Sequence, residues 1–233
     1  MLAIIQARMS SKRLPGKSLM MLNNKEILKR VIQQVKKSKQ IKKIIVATSK
    51  HYKDKAIIKL CKKEKVKYYA GNLQNVASRF NHIAKTQTDT SFIRVCADSP
   101  FLDFKLIDKF INIFKKNNFD ILTNVFKRTF PKGQSIEIFR SSIFLKYYKM
   151  IKSKKDKEHV TSYFYKNYKL FKIKNIKNKK NFSKINMSID TIKDFFIAEI
   201  FLKNNEFKKQ YISWKRMVSI YKKISSKLYS SKA

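Results

Sequence analysis

The first half of the chain alternates between short apolar runs and longer segments with apolar residues at helical spacing. Residues 27, 28, 31, 32 and 35 show that spacing most clearly, and they predict an amphipathic helix. The predicted strands are Leu2–Gln6, Lys43–Thr48, Lys67–Tyr69, Ser91–Cys96 and Asp120–Thr123. The predicted helices are Lys25–Lys39, Tyr52–Lys63, Leu73–Thr86 and Phe104–Lys116. Strands separated by helices indicate an α/β fold with a mostly parallel sheet and right-handed crossovers.

The second half of the chain is less regular. Alternation over Gln134–Phe139 predicts a strand at the edge of the sheet, and two further strands are predicted at Lys169–Ile173 and Ile185–Ile189. The predicted helices are Ser141–Ile151, Lys157–Tyr168, Ile192–Lys203 and Trp214–Leu228. Because the sequence has no internal repeat and no long linker, we expect a single domain over residues 1–233 with a C-terminal helical segment at about 205–229.

The composition restricts the possible partners and the compartment. The chain carries 55 Lys and Arg against 15 Asp and Glu, a formal net charge of +40. These basic residues are spread over nearly every segment, so we do not expect a specific nucleic-acid site. The two cysteines do not make a disulfide framework, and the three histidines have no metal-ligand spacing to them. The sequence shows no secretory signal and no apolar run near the roughly 20 residues of a membrane span, so we expect a cytoplasmic protein without membrane insertion.

The segment IIQARMSSKRLPGKSL, residues 4–19, ends in Gly-Lys-Ser, which is also how a P-loop ends. A P-loop requires a glycine five positions before Gly16, where this chain has Ser11. Pro15 also removes a backbone N–H from the region that would hold the phosphate. The spacing therefore argues against a P-loop nucleoside triphosphatase.

The same loop still offers three cations, Arg8, Arg13 and Lys17, after the first predicted strand. Arginine presents a planar fork to phosphate oxygens and lysine presents a point charge. Gly16 allows the backbone to approach a ligand closely. From the residue types alone, a triphosphate-binding loop and a solvated basic loop both remain open.

Two aspartates follow predicted strands, Asp98 after Ser91–Cys96 and Asp190 after Ile185–Ile189. Mg²⁺ is commonly held by one or two carboxylates together with phosphate oxygens and water. The alternative for each aspartate is to cap the helix that follows it, although Asp103 is the better cap for the helix that starts at Phe104. The spacing alone leaves both interpretations open.

A series of segments spread over nearly the whole chain carries a more specific signal. They are IIQARMSSKRLPGKSL (4–19), IIVATS (44–49), AGNLQNVASRF (70–80), FIRVCADSPFLD (92–103), PKGQSIEIF (131–139), KEHVTSYF (157–164) and MSIDTIKDF (187–195). In these residues and in their order, the chain resembles the cytidylyltransferase family that includes the SpsF-like proteins of spore-coat polysaccharide biosynthesis. It is also similar to acylneuraminate and 3-deoxy-manno-octulosonate cytidylyltransferases.

The resemblance implies a Rossmann-like sheet flanked by helices, the nucleotide-diphospho-sugar transferase fold of the glycosyltransferase-A type. It implies a Mg²⁺-dependent enzyme that transfers CMP from CTP to a hydroxyl of a sugar or sugar acid and releases pyrophosphate, for surface polysaccharide or glycoconjugate biosynthesis. The partners that it implies are CTP and a sugar or sugar-acid acceptor. Related families also suggest a homodimer.

The resemblance further implies roles for individual residues. Asp98 and Asp190 would bind Mg²⁺ and act in catalysis with Arg8 and Lys17. The residues that would bind the nucleotide are Gln6, Ala7, Arg8, Arg13, Gly16, Lys17 and Arg79. Acceptor binding is less defined, because Gln134 stands where relatives often have Leu or Asp. The candidates for acceptor binding are Glu137, Glu158 and His159, although a helix-end charge accounts for Glu158 and simple packing accounts for His159 equally well.

Two other functions remain open at this point. A glycosyltransferase of the same broad fold would bind a nucleotide sugar and a metal without cleaving a triphosphate, and it would not need the cationic loop. A basic nucleic-acid-binding protein would lose affinity steeply with salt and would require neither Mg²⁺ nor CTP.

Overall fold

The computed structural model of the chain describes residues 1–208 and 211–230. Its strands are β1 (Leu2–Gln6), β2 (Met21–Leu22), β3 (Lys25–Glu26), β4 (Lys43–Ser49), β5 (Lys67–Gly71), β6 (Ser91–Cys96), β7 (Ile121–Thr123), β8 (Glu137–Arg140) and β9 (Ile173–Asn175). Within the described residues, the main sheet has the order β5-β4-β1-β6-β8-β7-β9, and β2 and β3 form a separate hairpin. β8 runs antiparallel to both neighbours, whereas the other pairs of the main sheet are parallel. The predicted α/β fold with a mostly parallel sheet is confirmed.

Helices cover both faces of this sheet. They are α1 (Ile27–Lys36), α2 (Lys55–Lys63), α3 (Val76–Thr86), α4 (Phe104–Lys115), α5 (Ser141–Tyr147), α6 (Lys154–Glu158), α7 (Ser162–Lys166), α8 (Ile192–Lys203) and α9 (Trp214–Ser230). In the C-terminal segment, Asn205–Lys208 form a 3₁₀ turn and α9 is helical, whereas residues 211–213 between them are not. Residues 209 and 210 lie outside the described residues. In the part of the chain that the structure covers, no helix has both the length and the apolar character needed to cross a membrane.

The central strands are buried on both faces and contribute to two hydrophobic cores. On β1, Ala3 and Ile5 pack into the core formed with α1 and α4, whereas Leu2 and Ile4 pack into the core formed with α3, α5 and α7. Because side chains alternate along a strand, a strand covered on both faces reads as a continuous apolar run. Because β1 pairs in parallel with both β4 and β6, the carboxyl ends of these three strands lie at one edge of the sheet.

The prediction that the strand around residue 137 lies at the sheet edge is wrong. β8 lies inside the sheet, between β6 and β7. Alternation indicated an edge because it treats Glu137 as solvent-facing, but Glu137 is only 1% exposed. Its carboxylate is instead paired with Arg94 on the neighbouring strand, and a charge satisfied in this way can lie inside a sheet.

The predicted strand at Ile185–Ile189 is also wrong. This segment touches its neighbour through one isolated bridge, between Lys132 and Asn186. Ser188 Oγ donates a hydrogen bond to Asn186 Oδ1 at 2.7 Å, a local contact that does not pair the segment with a neighbouring strand. The apolar residues Met187 and Ile189 are buried in the core, so a single buried extended segment produces the same sequence pattern as a strand.

Two further boundaries differ from the prediction. The helix predicted at Lys157–Tyr168 is divided into α6 and α7, with the break at His159. The backbone N–H of Ser162 donates to the carbonyl oxygen of His159 at 2.7 Å and closes the turn between the two helices. β9 begins at Ile173, where the predicted strand Lys169–Ile173 ends, because a 3₁₀ turn occupies Tyr168–Leu170.

Candidate active site

The carboxyl ends of β1 and β6 open onto a cavity of about 420 Å³. Backbone hydrogen bonds continue the pairing one residue past the strands. Ala7 N donates to Ala47 O and Ala97 N donates to Gln6 O, each at 3.1 Å. The loops that follow β1 and β6 therefore leave the sheet side by side. In an open α/β sheet, ligands bind at this edge.

The loop after β1 is held in one shape by its own hydrogen bonds. Gly16 N donates to Met9 O at 2.8 Å, and Ser18 Oγ donates to Arg8 O at 3.1 Å. Gly16 has a φ of +76°, a left-handed conformation that glycine adopts without steric cost. The chain then turns at once into the 3₁₀ segment Lys17–Leu19. This geometry directs Lys17 toward the end of β6.

Lys17 joins two carboxylates that are distant in the sequence. Its Nζ donates to Asp98 Oδ2 at 2.8 Å, to Asp190 Oδ1 at 2.9 Å and to the carbonyl oxygen of Ile189 at 2.9 Å. The Lys17 side chain is 12% exposed, and the side chains of Asp98 and Asp190 are 24% and 22% exposed. Arg13 reaches Asp190 Oδ1 at 2.9 Å from the solvent side. Two cations therefore face two carboxylates in this cluster.

The charges in this cluster stabilise one another. Burial alone would lower the pKa of Lys17, but Asp98 and Asp190 raise it above its ordinary value. Burial also disfavours the charged form of Asp190, yet the hydrogen bond from Lys17 and the nearby charge of Arg13 lower its pKa overall. The opposite charges thus outweigh desolvation at both positions, and the lysine stays cationic.

Asp190 reaches the cavity although no strand precedes it. Ile189 N donates to the carbonyl oxygen of Asp98 at 2.8 Å, and Met187 N donates to that of Lys132 at 3.0 Å. The first bond attaches the extended segment to the loop after β6 and places Asp190 beside Asp98, and the second attaches it to the segment between β7 and β8.

Neither aspartate of this pair is needed as a helix cap. At the start of α8, Thr191 Oγ1 accepts from Asp194 N at 3.2 Å, and Asp194 Oδ2 accepts from Thr191 N at 2.8 Å. This reciprocal pair is a capping box. At the start of α4, Asp103 Oδ1 accepts from Lys105 N at 2.9 Å. Asp98 and Asp190 therefore keep their carboxylates directed into the cavity.

The turn between α6 and α7 forms another wall of the cavity. Arg8 Nη2 donates to Glu158 Oε1 at 2.6 Å. This hydrogen bond is the main reason that the pKa of Glu158 lies below its ordinary value. His159 lines the same cavity. The structure thus brings three residues predicted from the sequence, Arg8, Glu158 and His159, into one cavity with Lys17.

Gln6 and Ala7 form part of the cavity floor, together with Cys96. Arg79 also lines the cavity, although it is only 1% exposed. Its guanidinium donates to the carbonyl oxygens of residues 72, 73 and 47 at 3.0, 3.0 and 3.3 Å. Burial lowers the pKa of Arg79 to about 10. In this structure the donors of Arg79 therefore hold the loop before α3 against β4.

Among the predicted site residues, Gly16 shapes the loop after β1 but does not line the cavity, and neither does Glu137. It is buried, it pairs with Arg94, and Tyr165 Oη donates to its Oε1 at 2.6 Å. Sequence reasoning also missed Arg94 and Tyr165. The signal for Arg94 was a charged residue in the middle of the apolar run FIRVC, at 92–96. Such a residue requires a buried partner.

Asp98 and Asp190 are the side chains of this cavity that could hold a divalent metal ion. Within residues 1–208 and 211–230, no group of three His, Cys, Asp or Glu side chains could hold a metal ion. Asp98 and Asp190, however, reach a single point, the ammonium of Lys17. Two carboxylates are a sufficient protein contribution for Mg²⁺, whose other ligands are then phosphate oxygens and water.

The sequence model described as "Cytidylyltransferase" matches residues 2–225. The chain belongs to the cytidylyltransferase family. This membership confirms the resemblance seen in the sequence and makes the protein a nucleotidyltransferase enzyme by family.

Relatives of known sequence agree with this membership. The chain is 36% identical over 196 residues to an uncharacterized protein of Methanocaldococcus jannaschii, covering 83% of this chain and 79% of that protein. It is 33% identical over 114 residues to the spore coat polysaccharide biosynthesis protein SpsF of Bacillus subtilis, covering 47% of this chain and 48% of that protein.

Solved structures show the same fold. A cytidylyltransferase from Leptospira borgpetersenii is 30% identical, with a TM-score of 0.90, covering 96% of this chain and 94% of that chain. CMP:2-keto-3-deoxy-manno-octonic acid synthetase complexed with CTP is 13% identical, with a TM-score of 0.67, covering 87% of this chain and 98% of that chain. At that identity the second likeness concerns the fold alone. The predicted Rossmann-like fold of nucleotidyltransferases is confirmed.

Proposed function

We propose that the protein transfers CMP from CTP to a hydroxyl group of a sugar or sugar acid and releases pyrophosphate. The observation that carries the proposal is the convergence of Lys17, Asp98 and Asp190 at the carboxyl edge of the sheet. The family supplies the reaction class. The SpsF protein of Bacillus subtilis, by its name, belongs to polysaccharide biosynthesis, which supports a sugar acceptor.

The cations of the loop after β1 have the chemistry to bind a triphosphate. Arg8, Arg13 and Lys17 all line the cavity, and each of them is paired with a carboxylate. An arriving triphosphate would offer the same cations a stronger partner. Pyrophosphate leaves with developing negative charge, so cations that are already in position lower the barrier to its departure.

Charge balance supports a role for Mg²⁺ at this site. Lys17 and Arg13 currently neutralise Asp98 and Asp190. When these cations turn to a triphosphate, the two carboxylates require another cation. We propose that Asp98 and Asp190 hold Mg²⁺ there, where it would neutralise charge on the phosphate and orient it. The protein residues would then bind the leaving group and exclude water around it.

The acceptor would enter beside Glu158 and His159, since both line the cavity on the wall formed by the turn between α6 and α7. A carboxylate and an imidazole are suitable hydrogen-bonding partners for sugar hydroxyls. Family membership favours transfer from CTP over glycosyl transfer from a nucleotide sugar.

The direct experiment measures pyrophosphate release from CTP in the presence of Mg²⁺ with a panel of sugars and sugar acids, followed by mass determination of the product. We expect a product heavier than the acceptor by one cytidylyl group, and little reaction with ATP, GTP or UTP. The matched control is Asp98→Asn, which keeps the shape of the side chain and removes its charge. Pyrophosphate release that is equal in wild type and Asp98→Asn, or that does not depend on an acceptor, would contradict the proposal.

A further inference from the structure

A chain of hydrogen-bonded polar side chains, in which Glu137 is buried and the other members are half-buried, leads to the cavity floor. Arg94 on β6 faces Glu137 on β8, its partner in the strand register. Arg94 Nη1 donates to Glu137 Oε2, and Arg94 Nε donates to Gln6 Oε1 at 2.9 Å. Tyr165 from α7 donates to the other oxygen of Glu137 at 2.6 Å. The order Tyr165–Glu137–Arg94–Gln6 thus connects α7 to the end of β1.

The ion pair within this chain is deeply buried, with the Arg94 and Glu137 side chains 14% and 1% exposed. A buried ion pair contributes little net stability compared with a well-packed apolar pair, because desolvation offsets the attraction. Phe126 stacks on the ring of Tyr165 at 5.2 Å and helps to fix that side chain. Burial raises the pKa of Tyr165 well above its ordinary value, so its hydroxyl remains a donor to Glu137. These contacts define the positions of Arg94 and Glu137, although a well-packed apolar pair would stabilise the fold as well.

The free end of this chain is the amide of Gln6. A guanidinium nitrogen only donates hydrogen bonds, so the atom that faces Arg94 Nε must be the oxygen of the Gln6 amide. The Gln6 nitrogen, Nε2, is then turned away from Arg94. Among the described residues, Nε2 donates no hydrogen bond, and Gln6 lines the cavity. The Gln6 side chain therefore offers the N–H donors of Nε2 to the cavity, while its oxygen is directed at Arg94.

We propose that Gln6 is a specificity-determining residue that donates a hydrogen bond to an acceptor atom of the bound ligand, and that Arg94 and Glu137 are the positioning residues that fix its amide. This inference rests on the proposed function. The recognised atom is a carbonyl or carboxylate oxygen or an unprotonated ring nitrogen. It belongs to the cytosine base of CTP or to the sugar-acid acceptor.

The first variant is Gln6→Glu, which has nearly the same shape. One carboxylate oxygen can still accept from Arg94, but the other presents an acceptor where Nε2 presented a donor. Two facing acceptors without a proton between them repel each other. We therefore expect the Kd or KM of the recognised ligand to rise about tenfold. The matched control is Gln87→Glu, which makes the same charge change at the end of α3, outside the residues that line the cavity.

Two measurements identify the source of the recognised atom. One is the Kd of CTP with Mg²⁺ by isothermal titration calorimetry, and the other is the KM of the acceptor found in the pyrophosphate panel. A tenfold rise in the Kd of CTP with a small change in the acceptor KM assigns the atom to the base. The reverse pattern assigns it to the acceptor. Changes below twofold in both would overturn the inference for Gln6.

The second set of variants tests positioning. Tyr165→Phe removes the donor to Glu137, and Glu137→Gln removes the charge that holds Arg94, while Gln6 stays in place. We expect both variants to weaken, about threefold, the binding of the same ligand that Gln6→Glu affects. Binding of the other ligand should stay nearly unchanged. Glu137→Gln also leaves the buried Arg94 without its partner, so a lower melting temperature is expected in either case and does not discriminate. A merely structural role would weaken the binding of both ligands alike, and that result would overturn the positioning role. If the wild type binds CTP and none of the variants changes ligand binding, this inference alone is refuted. If the wild type does not bind CTP, the proposed function is refuted and this inference with it.

Discussion

Replacing Lys17 by Met tests the charge cluster and the metal assignment in one measurement of stability. Methionine nearly matches the length of the lysine stem, so the change removes the ammonium and little packing. The loss comprises hydrogen bonds at 2.8 and 2.9 Å to Asp98 and Asp190 and one at 2.9 Å to a backbone carbonyl. Buried charge-assisted bonds are worth about 1.5–3 kcal/mol each. The carboxylates here are partly exposed and regain water, so we expect a total loss of about 2 kcal/mol.

For a chain of this length, about 2 kcal/mol corresponds to a fall in melting temperature of about 4–8 °C. The measurement is thermal unfolding, first in chelator and then with increasing Mg²⁺. Mg²⁺ should raise the melting temperature of Lys17→Met more than that of wild type. In the wild type, Mg²⁺ has to displace the ammonium of Lys17 from the two carboxylates, and in the variant it does not. Lys12→Met is the matched control, since Lys12 is an exposed lysine on the same loop. Equal melting temperatures of the two variants in chelator, or an equal Mg²⁺ effect on wild type and Lys17→Met, would refute this reasoning.

Three further predictions follow from the same cavity. Asp98→Asn and Asp190→Asn should each lower kcat at least about a hundredfold while circular dichroism stays unchanged; wild-type turnover in either would remove it from the metal site. CTP with Mg²⁺ should raise the melting temperature more than ATP or GTP does, and equal shifts would count against a cytidine-selective site. Because the hydrogen bond from Arg8 lowers the pKa of Glu158 below 4.5, their pairing stabilises the fold above that pH and is lost as the pH falls through the lowered pKa. Glu158→Gln should therefore flatten the acid side of the stability profile measured by urea unfolding, and an unchanged slope would contradict this pairing.

Much of this protein could be predicted from short-range patterns in its sequence. The alternation of apolar runs and helical spacing predicted the parallel sheet, because the spacing of apolar residues over a few positions indicates which face of a strand or helix is buried. The order of short motifs identified the family, and the loop at 4–19 with its glycine and three cations marked one end of the site. Asp98 was predictable as a candidate because it directly follows a strand, and the carboxyl ends of parallel strands meet at one edge.

The sequence could not show which polar side chains are buried and with which partners. Alternation placed Glu137 at a sheet edge, whereas a partner from β6 and another from α7 keep it in the interior. Arg79 was a nucleotide-binding candidate, and the structure shows its donors engaged by backbone carbonyls. The residue type alone does not show whether a charged side chain is buried or exposed. Burial of a charge requires partner groups, and here those groups come from distant parts of the chain.

The sequence by itself determined the alternation of parallel strands and helices in the first half of the chain, the family and the candidate residues, because these depend on local spacing and on short motifs. Only the tertiary structure decided that Asp98 and Asp190 meet at one ammonium, and that Gln6 is turned by Arg94 toward the cavity. The physical reason is that such contacts join segments far apart along the chain, and packing of the two cores fixes the distances between those segments.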